Sequence, residues 1–220
     1  PLTSIIGFAE TIGEEIDEGG KGPVPRFAHL IEESGSRLLE TLNGVLNLSK
    51  LESGEIEISP EPVDLAEEVE ELAAMFGPQA EEAGVDLHIE GTDAPTRGQV
   101  DRAGLQIALR NLVSNALKYT EADGQVWIRV RAEETSAVIE VEDTGIGMAP
   151  EEVSELFEPF RQGSEGVGRE YEGSGLGLAV TKRVVRRMNG TIDVRTERGE
   201  GTCFIVHLPR PEDACEGEQA

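Results

Sequence analysis

Apolar residues in the first 54 positions recur at helical intervals. Leu2, Ile5, Ile6, Ala9, Ile12 and Ile16 step by three or four, which predicts an amphipathic helix, and the Gly- and Pro-rich run Asp17 to Pro25 predicts a turn. From Arg26 the positions Phe27, Ile31, Ser34, Leu38, Thr41 or Leu42, Val45 and Leu48 approach a heptad seam until LESGE closes the helix. Two helices cannot bury two stripes alone. The simplest solution is pairing with a second copy, so that two hairpins form an antiparallel four-helix bundle; the alternative is packing on the rest of the same chain.

The pattern changes after Gly54. Ile56 and Ile58 alternate with Glu55 and Glu57, Pro60 and Pro62 interrupt the chain, and Asp64 is a fitting N-cap for a helix over LAEEVEELAAMF. Beyond it the sequence predicts a strand (85–90), a helix (100–119), two strands (125–132 and 137–142), a long glycine-rich loop, a helix (176–188) and two closing strands (191–196 and 202–208). Strands mixed with helices that can cover one face read as an α/β sandwich. The expected organisation is therefore α+β: a helical hairpin (1–54), a linker (55–62), an α/β domain (63–210) and a polar tail (211–220).

Charge adds a constraint. The 220 residues carry 19 Lys+Arg against 44 Asp+Glu, a net −25, and such a field repels nucleic acid and anionic membrane surfaces. A polyphosphate ligand would need a local site of backbone N–H groups, a metal ion and a few cations. Cys203 and Cys215 have no metal-ligand spacing and read as reduced thiols, as in the cytoplasm. The pattern contains no membrane-length apolar run and no secretion leader, and the start at Pro1 without Met suggests a fragment.

Three segments carry candidate chemistry. In NLVSNALKYT, the row Leu105, Leu109, Leu112 and Ala116 is a core stripe, while Asn111 and Asn115 share another face with Lys118 just beyond. Two amide oxygens and an ammonium suit Mg²⁺ shared with phosphate, although Asn pairs on helices are more often solvated or capping. In VEDTGIGM, a strand ends in Asp143 before Gly145 and Gly147. A carboxylate there can accept from an exocyclic amine such as that of adenine, and an ordinary Asp turn is the plainer alternative. In GSGLGLAV, Gly173, Gly175 and Gly177 lead into a helix whose N-terminal N–H groups favour phosphate. This run does not follow a strand, so a dinucleotide fingerprint is excluded.

Taken in order, these segments resemble the catalytic core of bacterial sensor histidine kinases over essentially the whole chain. NLVSNALKYT is similar to that family's N box, DTGIGM to its first glycine box, FEPFRQG to its F box, GSGLGL to its second glycine box and GEGTCFIVHLP to its closing strand. PLTSIIGFAETI resembles the stretch after the phosphoacceptor histidine, and LNLSKLESGE the end of the second dimerisation helix. The resemblance implies ATP and Mg²⁺ as ligands, with Asn115 the principal Mg²⁺ ligand, Asn111 supporting it, Lys118 at phosphate and Tyr119 flanking the nucleotide. Asp143 would hold the adenine amine, Gly145 and Gly147 would leave room for the ring, and Thr202 would line the adenine side. Residues between Met148 and Gly173 would form an ATP lid, packed by Phe157 and Phe160, with Arg161 available to phosphate. Gly173, Gly175 and Gly177, with Leu176 and Leu178 between and after them, would cradle the phosphates. Thr3, Gly7 and Thr11, off the apolar stripe, resemble contact positions for a response-regulator receiver domain.

The family's acceptor histidine would precede Pro1. Of the three histidines present, His29, His88 and His207, none has the acceptor's neighbouring acidic residue or the following Pro-Leu pair. The expectation is a core that binds ATP, dimerises through 1–54 and lacks its own acceptor. Two other readings stand beside it: an ATP-driven conformational machine of the same superfamily, which would carry a water-activating Glu where this chain has Asn111, and a regulatory scaffold without turnover.

Overall fold

The computed structural model describes residues 2–17, 24–53, 58–161 and 175–211. The chain divides into two compact units, Pro1–Ser49 and Lys50–Ala220. The first is built from α1 (Leu2–Asp17) and most of α2 (Val24–Ser53). Within it Phe8 stacks on Phe27 at 5.9 Å between ring centroids. Phe8 lies outside the expected stripe, whereas Leu2 and Ile6 within that stripe remain exposed.

The second unit runs β1 (Glu61–Asp64), α3 (Leu65–Ala83), β2 (Asp86–Glu90), β3 (Arg97–Val100), α4 (Arg102–Tyr119), β4 (Gln125–Ala132) and β5 (Ser136–Asp143). It continues with α5 (Pro150–Val153), α6 (Gly177–Arg187), β6 (Thr191–Glu197) and β7 (Gly201–Pro209). Asp64 caps α3 as expected: its Oδ1 accepts the N–H of Ala66 at 3.1 Å and that of Thr96 at 3.2 Å. Asp101 caps α4 by accepting from Gly104 N at 2.7 Å, so that helix begins at Arg102 and Val100 belongs to a strand. The small β1–β3 pair was not expected. It places Glu61 and Pro62, read as linker, opposite Val100 and Gln99.

Five strands form one sheet in the order β2-β4-β5-β7-β6, with β2–β4 parallel and the other pairs antiparallel. Opposed residues of antiparallel strands share a face. The register therefore puts Val126, Ile128, Ile139, Val141, Phe204, Val206 and Leu208 on one side, all buried. The buried rows of α3 (Leu65, Val69, Leu72), α4 (Leu105, Leu109, Leu112) and α6 (Val180, Val184, Val185) complete this core. At one end of the same face, Val126, Asp143 and Thr202 lie in register across β4, β5 and β7. The opposite face carries charge: Arg129 pairs with Glu90 and Glu142, and Arg131 with Glu133 and Glu140.

Candidate functional site

Asp143 closes β5, and its side chain is buried to 6% exposure. Its Oδ1 accepts two main-chain donors, Gly145 N at 2.9 Å and Thr202 N at 3.2 Å. Burial pushes its pKa up to about 6, against the opposing effect of those two N–H groups, and neighbouring Glu142 adds to the rise. Both hydrogen bonds land on one oxygen, so Oδ2 makes none with another described residue. Oδ2 is not sealed off from solvent, so its lone pairs stay open to a donor from a ligand.

The glycines after Asp143 serve the chain's own backbone. A Cβ at Gly145 would lie 2.3 Å from the carbonyl of Tyr119, and one at Gly147, where φ is +59°, would lie 1.9 Å from the carbonyl of Glu197. The expectation was room for a ring; the immediate reason for glycine is close approach of two main-chain segments. The loop is fixed further by Ile146 N donating to Tyr119 O at 3.2 Å and Met148 N donating to Thr196 Oγ1 at 2.9 Å. Thr196 was missed in the sequence because it belongs to no glycine box. The nearest clue was its place just ahead of GEGT.

On α4, Asn111 Nδ2 donates to Gly177 O at 3.0 Å and to Thr181 Oγ1 at 3.3 Å. Asn115 is half-buried, and its side chain makes no hydrogen bond with another described residue. The Lys118 ammonium stands 5.2 Å from the centroid of the Tyr119 ring. No group of three or more His, Cys, Asp or Glu that could hold a metal occurs among the described residues. Two neutral amide oxygens on one helix suit a hard cation whose remaining ligands are phosphate and water, so this donor set fits Mg²⁺ accompanying a nucleotide.

Leu176 is fully buried ahead of α6, Leu178 is half-buried within it, and Gly175 has φ +67°. Phe160 N donates to Gly175 O at 3.0 Å, which joins the two ends of the F-box to glycine-box stretch. Phe160 itself is 65% exposed with φ +63°, contrary to the expected packing role. Phe157 lies under the Lys182 ammonium at 4.6 Å. Arg161 pairs with Glu155 at 3.0 Å and Glu158 at 3.3 Å. Gly173 and residues 162–172 of the expected lid lie outside the described residues.

Residues 100–212 match the family of histidine kinase-, DNA gyrase B-, and HSP90-like ATPases. The chain belongs to that family. Residues 1–54 match the His Kinase A (phospho-acceptor) domain, and the two in tandem make the chain a sensor histidine kinase catalytic core. It is 36% identical over 217 residues to the autoinducer 2 sensor kinase/phosphatase LuxQ of Vibrio parahaemolyticus, covering 95% of this chain and 25% of that protein. Identity to the sensor histidine kinase RcsC of Escherichia coli K12 is also 36%, over 95% of this chain and 22% of that protein. The chain thus spans a quarter or less of these two relatives. Full-length ShkA, solved in complex with AMPPNP, superposes with a TM-score of 0.70 at 33% identity, over 84% of this chain and 38% of its own.

In the hairpin of this kinase core, Thr3 is exposed, while Gly7 and Thr11 are half-buried and joined by Thr11 Oγ1 donating to Gly7 O at 2.9 Å. Leu39, Leu42, Val45 and Leu46 expose a row of apolar side chains on α2. His29 is exposed on the same helix. His88 stacks on Trp127 at 5.6 Å, and His207 has Glu133 and Asp193 each 3.8 Å from one of its ring nitrogens. No helix among the described residues is long and apolar enough to cross a membrane.

Proposed function

We propose that the kinase core binds ATP through the α/β domain and donates its γ-phosphoryl group to a histidine, from which it passes to an aspartate of a response-regulator receiver domain. The observation that carries the nucleotide assignment is Asp143, buried, with Oδ1 saturated by Gly145 and Thr202 and Oδ2 left for the adenine 6-amine. In the transfer, an imidazole nitrogen forms a bond to the γ-phosphorus as the bond to the β–γ bridging oxygen breaks; ADP leaves with the electron pair, and the imidazole gives up its N–H proton to a base. Holding the donor in line is the main task of the protein in such a reaction. Lys118 would meet the phosphates, together with the N–H groups at the start of α6 and Gly173, Gly175 and Gly177 of the second glycine box.

Asn115, with Asn111 behind it, would hold Mg²⁺, which supplies neutralisation of phosphate charge. The Asn111 amide disfavours the conformational-machine reading, because its NH₂ is engaged by Gly177 and Thr181 and an amide oxygen does not take a proton from water. The exposed row on α2 supports dimerisation by a second copy through residues 1–54. Thr3, Gly7 and Thr11 are proposed as the receiver-facing positions, and the net charge of −25 disfavours nucleic acid and anionic membrane surfaces as partners. Calorimetry with ATP and GTP tests the central assignment. ATP is expected to bind at least about ten-fold more tightly, the equivalent of one charge-assisted hydrogen bond, and equal affinity would overturn it.

A further inference from the structure

We propose that Thr196 on β6 is the positioning residue for base selection, because it orients the Gly201–Thr202 peptide whose N–H holds Asp143. The inference rests on the adenine reading of Asp143 given above.

Thr196 Oγ1 lies 3.0 Å from the carbonyl oxygen of Gly201 and 3.0 Å from Thr202 Oγ1, and it accepts the N–H of Met148 at 2.9 Å. A hydroxyl has one hydrogen. Donated to the Gly201 carbonyl, that hydrogen leaves Thr202 as the donor of the hydroxyl pair, and Thr196 Oγ1 accepts from both Met148 N–H and Thr202 O–H. One side chain therefore ties together the end of the DTGIGM loop, the β6–β7 turn and Thr202.

The Gly201 carbonyl and the Thr202 N–H are two ends of a single planar trans peptide. Fixing the carbonyl fixes the N–H, which donates to Asp143 Oδ1 at 3.2 Å. Gly201 offers little restraint of its own: φ is +101°, a region glycine enters freely. Side-chain substitution there is blocked, since a Cβ would lie 1.9 Å from the carbonyl of Asp143. Strand pairing of β7 with β5 and β6 sets the general course of this peptide, and Thr196, paired with Thr202 across β6–β7, adds the side-chain restraint on its carbonyl. With Oδ1 held from two fixed directions, the carboxylate plane is set and Oδ2 has one position from which to meet the 6-amine. Without Thr196, one of the two directions is less firmly held.

Purine riboside 5′-triphosphate is ATP without the 6-amine and isolates this effect. Its affinity and that of ATP are compared by calorimetry with Mg²⁺ for residues 1–220, as wild type, Thr196→Val and Thr196→Ser. Wild type is expected to favour ATP by about ten-fold or more. The valine variant should lose most of that preference by weakening ATP alone, and the serine variant, which keeps the hydroxyl, should retain it. Equal weakening of both nucleotides, or an undiminished preference in the valine variant, overturns the proposal. Thr196→Ala provides the same readout if the valine variant does not fold; failure of both to melt cooperatively also overturns it, by making Thr196 a determinant of the fold. A wild-type chain with no preference for ATP defeats the adenine reading itself, whatever the variants do.

Discussion

Asn111 Nδ2 donates to the Gly177 carbonyl at 3.0 Å, tying the middle of α4 to the first residue of α6. Thr181 Oγ1 accepts from the same nitrogen at 3.3 Å and itself donates to Gly177 O at 2.9 Å. Asn111 is thus structural as well as a candidate ligand, whereas Asn115 carries no such bond among the described residues. Asn111→Asp sets a carboxylate against a carbonyl and should destabilise the nucleotide-free protein by about 1–3 kcal/mol. Asn115→Ala should leave the melting temperature nearly unchanged yet abolish the Mg²⁺ dependence of ATP binding. Thermal melts and calorimetry with and without Mg²⁺ separate the two roles, and equal melting shifts would remove the distinction.

Asp143 should move stability and binding in opposite directions. Its folded-state pKa of about 6 lies above the ordinary value of 3.8. The folded state thus holds the proton more tightly, and this group's contribution to stability falls as pH rises from about 4 to about 6, then stays level. At pH 7 the ionised, buried carboxylate costs about 3 kcal/mol. Asp143→Asn should recover part of that cost at pH 7, with the gain vanishing near pH 4, while ATP affinity falls by about 1.5–3 kcal/mol. Denaturant unfolding at both pH values checks the first statement and calorimetry the second. A variant less stable than wild type at pH 7 would contradict the assignment of burial as the dominant cost.

The long elements were legible because their patterns are strong: the α4 stripe Leu105, Leu109, Leu112 and Ala116 and the run of β7 are apolar at the right period and are buried. Asp64 was readable as a cap because its chemistry is local. The β1–β3 pair was not, since four-residue strands gain their identity from a partner distant in sequence. The hairpin stripe was only partly legible: periodicity found the helices but not that Phe8 would meet Phe27. Asp143 was visible as a residue type at a strand end. Its Gly145 donor is local to the DTG run, whereas the Thr202 donor and the Thr196 link are consequences of register between β5, β6 and β7, and no local motif records those two.

Leu39, Leu42, Val45 and Leu46 provide the handle on dimerisation. Leu42 is 52% exposed and Leu46 53% exposed in the single chain, and burial of each in a shared core would contribute on the order of 1 kcal/mol or more per copy. Leu42→Glu combined with Leu46→Glu should leave a monomer by light scattering at tens of micromolar, about the range in which wild type is expected to dimerise. Each copy carries −25, so added salt should strengthen wild-type association by screening. A wild-type chain that stays monomeric in both low and high salt would overturn the interface.

Residues 1–220 should bind ATP and yet acquire no histidine phosphate. His88 and Trp127 lie on the same face of the sheet as Glu142, and His207 shares that face opposite Val138, whereas Asp143 and Thr202 occupy the helix-covered side. His207 is also about 17 Å along β7 from Thr202, five residues at strand rise, and each of its ring nitrogens faces a carboxylate that repels phosphate. His29 sits on α2 with apolar Leu30 and Ile31 after it and no carboxylate beside it in sequence to accept its proton. Near-attack geometry for phosphoryl transfer is therefore not available to the two strand histidines. Incubation with γ-labelled ATP and Mg²⁺ should give nucleotide that dialyses away and no acid-labile label on the chain. Stable label mapped to any of the three histidines would refute the assignment of donor and acceptor to different segments.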